Sequence, residues 1–175
     1  MGHIMLEKIA EFYKKLWSID DVTKDKIEKF GDKFQIIIPL TVLLVCLMQG
    51  YNVGNYQLAI TYAVTFALSM GICQFLKTLF NNTRPRNTEG FVNPKLEVDW
   101  SPTDGNSFPS GHTMSAMMGA MFAFEFGIVE GIVATLFAVG VAFSRMIAKA
   151  HWLRDVGTST LIAIVLYAIA TIFYI

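Results

Sequence analysis

Three short stretches carry side chains whose types and spacing suit chemistry on a phosphate. In KTLFNNTRP, residues 77–85, Lys77 and Arg84 stand seven apart, about two helical turns, so both cations can converge once Pro85 forces an extended exit. In PSGH, residues 109–112, Ser110 can cap a following helix and offer its hydroxyl, and Gly111 lets backbone N–H groups approach a ligand. A helix N-terminus attracts anions through its free N–H groups and its dipole. In SRMIAKAHWLRD, residues 144–155, Arg145 supplies a forked cation, and His151 and Asp155 stand four apart, the spacing of neighbours on one helical face. A carboxylate that accepts a proton from one imidazole nitrogen leaves the other free to attack.

Each piece alone has a plainer reading. A cation at a membrane edge snorkels to the headgroups, a Ser-Gly turn caps a helix, and a His-Asp pair at this spacing is a surface hydrogen bond. Together they form a cage of three cations, a helix N-terminus and two histidines, Lys77, Arg84 and Arg145 with His112 and His151. One histidine can attack a phosphate held there while the other protonates the leaving oxygen. No cluster of Asp, Glu and His suggests a metal, so charge neutralisation falls to the cations, and no cofactor is expected.

Five apolar stretches approach the roughly 20 residues that cross a bilayer: residues 34–51, 56–75, 113–128, 131–147 and 157–175. None reads as a cleavable signal peptide. Ahead of them Met5, Ile9, Phe12 and Leu16 share one face at helical spacing, with Lys8, Lys14 and Lys15 elsewhere, which suits a helix lying in the membrane interface; a cap packed on the bundle is the alternative. The opening MGHIM reads as an expression-tag remnant before Met5, so His3 is set aside. A second short helix is expected over 21–34, and the long polar connection over 81–109 is of the length that usually serves function. The expected fold is an all-α membrane bundle of five spans, residues 34–175, behind an amino-terminal interfacial segment, residues 1–33.

Of 175 residues, 54% are hydrophobic and 16% charged, and mean hydropathy is +0.47, outside the range of ordinary soluble domains. The net charge of zero argues against a nucleic-acid partner, and nothing requires an obligate protein partner. Cys46 and Cys73 lie in apolar runs without metal or disulfide spacing and read as buried packing. Threading the spans puts all fourteen Lys and Arg on the side of the three motifs, while the opposite side holds Glu125 and Glu130. Glu125 reads as a far-interface residue within reach of water rather than part of the cage.

The three motifs resemble, in order and without substitution, the signature of the type 2 phosphatidic acid phosphatase superfamily: Lys, six residues, Arg-Pro; Pro-Ser-Gly-His; and Ser-Arg, five residues, His, three residues, Asp. The resemblance implies a metal-independent lipid-phosphate phosphatase working through a phosphohistidine. It implies His151 as nucleophile, Asp155 as its orienting partner and His112 as general acid, with Lys77, Arg84, Ser110, Gly111 and Arg145 as phosphate ligands. Many members have six spans; here the amino-terminal helix stands in for the first. The small bacterial members are lipid A 1-phosphatases, phosphatidylglycerophosphate phosphatases and undecaprenyl-pyrophosphate phosphatases, and the compact form leans toward the first.

The resemblance also implies a bacterial inner-membrane protein with its active side in the periplasm, whereas the positive-inside rule points the basic side to the cytoplasm. The cage cations stand there for catalysis and carry no vote on orientation, and the amino-terminal ones can bind anionic lipid. Rival readings are a vanadate-binding haloperoxidase of the same superfamily, which five spans argue against, a lipid-to-lipid phosphotransferase, and a non-enzymatic lipid-binding scaffold with no use for a His-Asp pair. The cage without a metal generates a first prediction. EDTA leaves activity intact, and vanadate, a mimic of five-coordinate phosphorus, inhibits; loss in EDTA that a divalent ion restores is the contrary result.

Overall fold

The structure, a computed structural model, describes residues 2–80, 82–87 and 106–174. Most of the long connection, with Lys95, lies outside the described residues, as does the side chain of Met5. Among the described residues six α-helices follow one another: α1 (Gly2–Trp17), α2 (Asp21–Val53), α3 (Gln57–Leu79), α4 (Gly111–Ala123), α5 (Ile128–Ile147) and α6 (Leu153–Tyr174). A single 3₁₀ turn, Pro85–Asn87, interrupts the connection after α3. Among the described residues there is no β-strand, only an isolated bridge between Thr83 and Asn106.

The short helix expected over 21–34 and the first span are one helix. Asp20 opens α2 by accepting a hydrogen bond from the Thr23 N–H, and Gly54, in the left-handed conformation at φ 69°, closes it. At about 1.5 Å per residue the helix is about 50 Å long, against about 30 Å of bilayer hydrocarbon. Its charged first third therefore stands clear of the membrane. Pro39 does not break it. Proline cannot donate to the carbonyl four residues back, here that of Gln35, and the Ser115 hydroxyl of α4 donates to that carbonyl instead at 2.8 Å. Tyr62 of α3 donates to the Pro39 carbonyl at 2.9 Å, which pins the same point from the other side.

Helix α4 lies at the centre, packed by α2, α3, α5 and α6. Every residue from Thr113 to Ala120 is buried, as expected for a helix that is apolar all round. Its Met, Ala and Gly side chains suit close neighbours; a Cβ on Gly119 would come within 2.9 Å of Ile38 and 3.1 Å of the Pro39 backbone. The surrounding helices turn Leu40, Leu44, Val64, Leu136 and Leu161 outward, and all five are exposed in the isolated chain, as lipid-facing residues are.

Four helices, α2, α3, α5 and α6, are long and apolar enough to cross a membrane. The fifth expected span is α4, only 13 residues and about 20 Å long, too short to cross alone. Shielded from lipid by its neighbours, it does not need to. The chain turns at residues 124–127, before the break expected between the stretches 113–128 and 131–147, and Glu130 sits in the first turn of α5, where the helix dipole favours an acid. Glu125 lies in that turn, at the end of α4 opposite His112, and accepts a hydrogen bond from Tyr167 at 2.8 Å.

Helix α1 shows two apolar faces. Tyr13 and Trp17 are buried against the bundle with Leu16 packed beside them, whereas Ile9 and Phe12 stay exposed. It is thus both a cap on the bundle and a surface free to meet lipid.

Helix α2 reaches α5 through Gly31, where an added Cβ would collide with the Ser144 hydroxyl and stand 2.9 Å from its Cβ. Gly71, by contrast, has nothing within 4 Å of an added Cβ. Gly31→Ala is expected to cost about 1–3 kcal/mol by forcing α2 off α5. Gly71→Ala is expected to be neutral or slightly stabilising, and melting of both variants in one detergent checks the contrast.

Candidate active site

The three motifs converge at the end of the bundle where α3 and α5 finish and α4 and α6 begin. Backbone bonds join them directly. The Ser107 N–H donates to Asn82 O at 2.8 Å, Arg86 N–H to Lys149 O at 3.1 Å, and Ser110 N–H to Asp155 O at 3.4 Å. Side chains add to this: Trp152 Nε1 donates to Thr83 O at 3.0 Å and the Ser159 hydroxyl to Ser110 O at 2.9 Å. Between them lies a cavity of about 300 Å³. Lys77, Arg84, Gly111, His112, Arg145 and His151 all line it, so six of the eight expected site residues share one space.

The other two stand behind it. Ser110 is fully buried; its oxygen caps α4 by accepting from the Thr113 N–H at 3.4 Å and from the Thr113 hydroxyl at 3.0 Å. Asp155 is also fully buried. His151 and Asp155 do not lie on one helical face, because His151 precedes α6, in the turn after α5. Asp155 accepts from the Trp152 N–H at 2.8 Å, the reach-back bond of a capping box at the start of α6, with its Oδ2 3.7 Å from His151 Nδ1. The short contact of Nδ1 is to the carbonyl of Ser107, at 2.6 Å. A carbonyl only accepts, so Nδ1 carries the proton and Nε2 is left as the base. Burial pushes the His151 pKa down, opposed by the nearby Asp155 carboxylate and helped by Arg84 and Lys77, which favours the neutral ring.

His112 opens α4 with its Nε2 3.1 Å from Asp32 Oδ1. Burial lowers its pKa from 6.5 to about 4; Arg145 lowers it as well, and Asp32 works in the opposite direction. Arg145, its side chain 4% exposed, is held by Asp32 at 2.6 Å and by Glu28 at 3.1 Å. Lys77 donates to the Asn106 carbonyl at 3.2 Å, and the Asn106 amide returns a bond to Lys77 O at 2.7 Å. A Cβ on Gly111 would meet only Cys73 Sγ at 3.7 Å and Met70 at 4.0 Å, ordinary contacts, so packing alone does not require glycine there.

The turn that presents His151 is braced by α1. Trp17 Nε1 donates to Met146 O at 2.9 Å, and Tyr13 Oη accepts from the Leu153 N–H at 2.6 Å, one bond at each end of the turn. Lys149 takes φ 55° within it, a left-handed conformation that costs a side-chain-bearing residue about 1–2 kcal/mol. Its ammonium lies 5.3 Å from the Trp17 ring.

Sequence reasoning missed Asp32, Glu28 and the Ser107 carbonyl, as well as Gln35, Gln74 and Arg86 on the cavity wall. Glu28 and Asp32 are four apart, one turn on α2. That spacing was visible, but what the turn faces was not.

The fold and cavity define a multi-pass helical membrane protein with a cationic, two-histidine site at one end of its bundle. The chain belongs to the PAP2 superfamily, whose sequence profile matches residues 58–174. It is 30% identical over 138 residues to an undecaprenyl-diphosphatase of Sulfolobus acidocaldarius, an alignment covering 74% of this chain; the chain spans 59% of that relative's length. In fold it is similar to Aquifex aeolicus LpxE, with a TM-score of 0.71 at 20% identity over 93% of each chain. It is also similar to a transmembrane PAP2-type phosphatidylglycerolphosphate phosphatase of Bacillus subtilis, with a TM-score of 0.61 at 16% identity over 95% of this chain and 94% of that one.

A histidine whose folded pKa lies below its ordinary value takes its proton first in the unfolded chain. The stability this confers is full above pH 6.5 and drains away as pH falls toward about 4. Melting in detergent is expected to show a steady loss of stability across that window, shallower in His112→Gln. Identical pH slopes in the two proteins are the contrary outcome.

Proposed function

We propose that this protein hydrolyses a phosphate ester of a membrane lipid through a phosphohistidine. The observation that carries the reading is His151 on the cavity wall with Nδ1 engaged by the Ser107 carbonyl, which reserves Nε2 for attack. Nε2 bonds to phosphorus, the bond to the lipid oxygen breaks, and His112 gives that oxygen a proton. Water then attacks the phosphohistidine with His112, now neutral, accepting its proton, and inorganic phosphate leaves. Lys77, Arg84, Arg145 and the N–H groups opening α4 balance the charge on the phosphoryl oxygens without a metal. A bound phosphate next to His112 adds the negative charge that lifts its pKa and makes it an acid near neutrality. Asp155 acts from behind, steadying the start of α6 and the positive charge that develops on His151.

The substrate we assign is the 1-phosphate of lipid A, with the active end facing the periplasm; the compact form of the chain leans toward it, and LpxE shares its fold. Undecaprenyl diphosphate is the second reading, supported by the Sulfolobus relative. Phosphate release from purified lipid A, undecaprenyl diphosphate and phosphatidylglycerophosphate ranks the substrates, and release without an acceptor lipid separates hydrolysis from transfer.

The two histidines separate by leaving group. His151→Ala is expected to abolish turnover and any covalent phosphoenzyme on every substrate. His112→Ala is expected to lose roughly 10²–10⁴-fold on a lipid phosphate, whose alkoxide needs a proton, and far less on an activated aryl phosphate. Asp155→Asn falls between them. Equal losses on both substrates in His112→Ala remove it from the acid role, and residual phosphoenzyme in His151→Ala overturns the assignment.

A further inference from the structure

Asp32 belongs to none of the three motifs, yet one of its oxygens meets two members of the site. Oδ1 lies 3.1 Å from His112 Nε2 and 2.6 Å from an Arg145 terminal nitrogen. The close approach of Gly31 to Ser144 puts the next residue, Asp32, beside Arg145, which follows Ser144. Glu28, one turn earlier, reaches the other terminal nitrogen of Arg145 at 3.1 Å.

We infer that Asp32 is a positioning residue of the hydrolysis, fixing the His112 ring through Nε2–H and tying it to the Arg145 guanidinium that receives the phosphate. An ionised carboxylate only accepts, so the shared proton belongs to Nε2. The nitrogen left to protonate the leaving oxygen is Nδ1. When Nδ1 gives its proton away, the ring becomes neutral imidazole with Nε2–H still on Asp32, and the ring keeps its place for the return proton from water. Arg145 has five N–H donors, so it can hold Asp32 and Glu28 and still offer donors to a phosphoryl oxygen.

The charge around His112 makes this contact consequential. Arg145 on α5 and His151 in the turn after it both lower its pKa, and Lys77 at the end of α3 and Arg84 and Arg86 just beyond share the same cavity. Against these cations stand two acids, both from α2, and Asp32 is the one bonded to the ring.

The inference rests on the phosphatase reading, and its test keeps the two apart. The full chain, Asp32→Asn, Asp32→Glu and Glu28→Gln are assayed from pH 5 to 9 on a lipid phosphate and on an aryl phosphate, after melting in the same detergent. In Asp32→Asn the alkaline limb of kcat on the lipid is expected to move to lower pH, with a loss of roughly 10–100-fold at neutral pH, part of the range acid catalysis provides. On the aryl phosphate kcat is expected to change less than about threefold, since that leaving group needs little of the acid. Asp32→Glu restores the limb, and Glu28→Gln, whose carboxylate is not bonded to the ring, moves it less than Asp32→Asn does. An unmoved limb in Asp32→Asn overturns the inference. So does an equal loss on both substrates that Asp32→Glu does not repair, the mark of a merely structural residue. If Asp32→Asn does not fold, nitrogen NMR of the wild-type histidines reads the tautomer instead: a neutral His112 protonated at Nε2 supports the inference, and one protonated at Nδ1 overturns it. A wild-type chain that releases phosphate from neither substrate overturns the phosphatase reading and this one with it.

Discussion

Arg145 ends an apolar helix with almost none of its side chain in water, and a charge so placed is tolerable only if opposite charge comes to it. Much of the architecture supplies that answer. Helix α2 extends past the bilayer by the length needed to deliver Glu28 and Asp32, and a glycine at the crossing lets it come close enough to do so. The same carboxylate then touches the imidazole that opens α4. Two requirements, pairing a buried guanidinium and fixing an imidazole beside the cationic cavity, are met by one set of contacts.

The backbone bonds between the three motifs serve the second half of that design. His151 sits in a turn, and turns are mobile unless tied down. This one is tied by the Ser107 carbonyl on its ring, by the Arg86–Lys149 backbone bond, and by the Tyr13 and Trp17 side chains at either end. Two of those ties come from a helix whose remaining apolar face, Ile9 and Phe12, is open to lipid. The rigidity of the turn that carries His151 is therefore partly borrowed from the membrane surface.

The legible part of the sequence was its chemistry. Lys77, Arg84, Gly111, His112, Arg145 and His151 stand out by residue type and spacing, and the structure gathers all six around one cavity. The misplacements have physical causes. At Phe34 the composition changes from charged to apolar, which reads as a boundary between elements; in fact it marks where one helix passes from water into lipid, and helical hydrogen bonding is indifferent to that change. Residues 113–128 were apolar enough for a span, but hydropathy cannot tell a helix bathed in lipid from one encased in other helices. The spacing of His151 and Asp155 implied a shared helical face, and only the tertiary structure shows that the helix begins between them. Asp32 was hidden for a related reason: one carboxylate in a charged run acquires meaning from the helix it faces.

Because α2 is continuous, Asp32 is mechanically part of the same rod that Tyr62 and Ser115 grip in mid-membrane. A transmembrane helix answers a change in bilayer thickness by tilting. A tilt about that grip swings Asp32, about two turns above Pro39, relative to the cavity. Asp32, the partner of His112, thus rides on a lever whose angle is set by lipid, and the thickness of the surrounding bilayer becomes a variable of the proposed site.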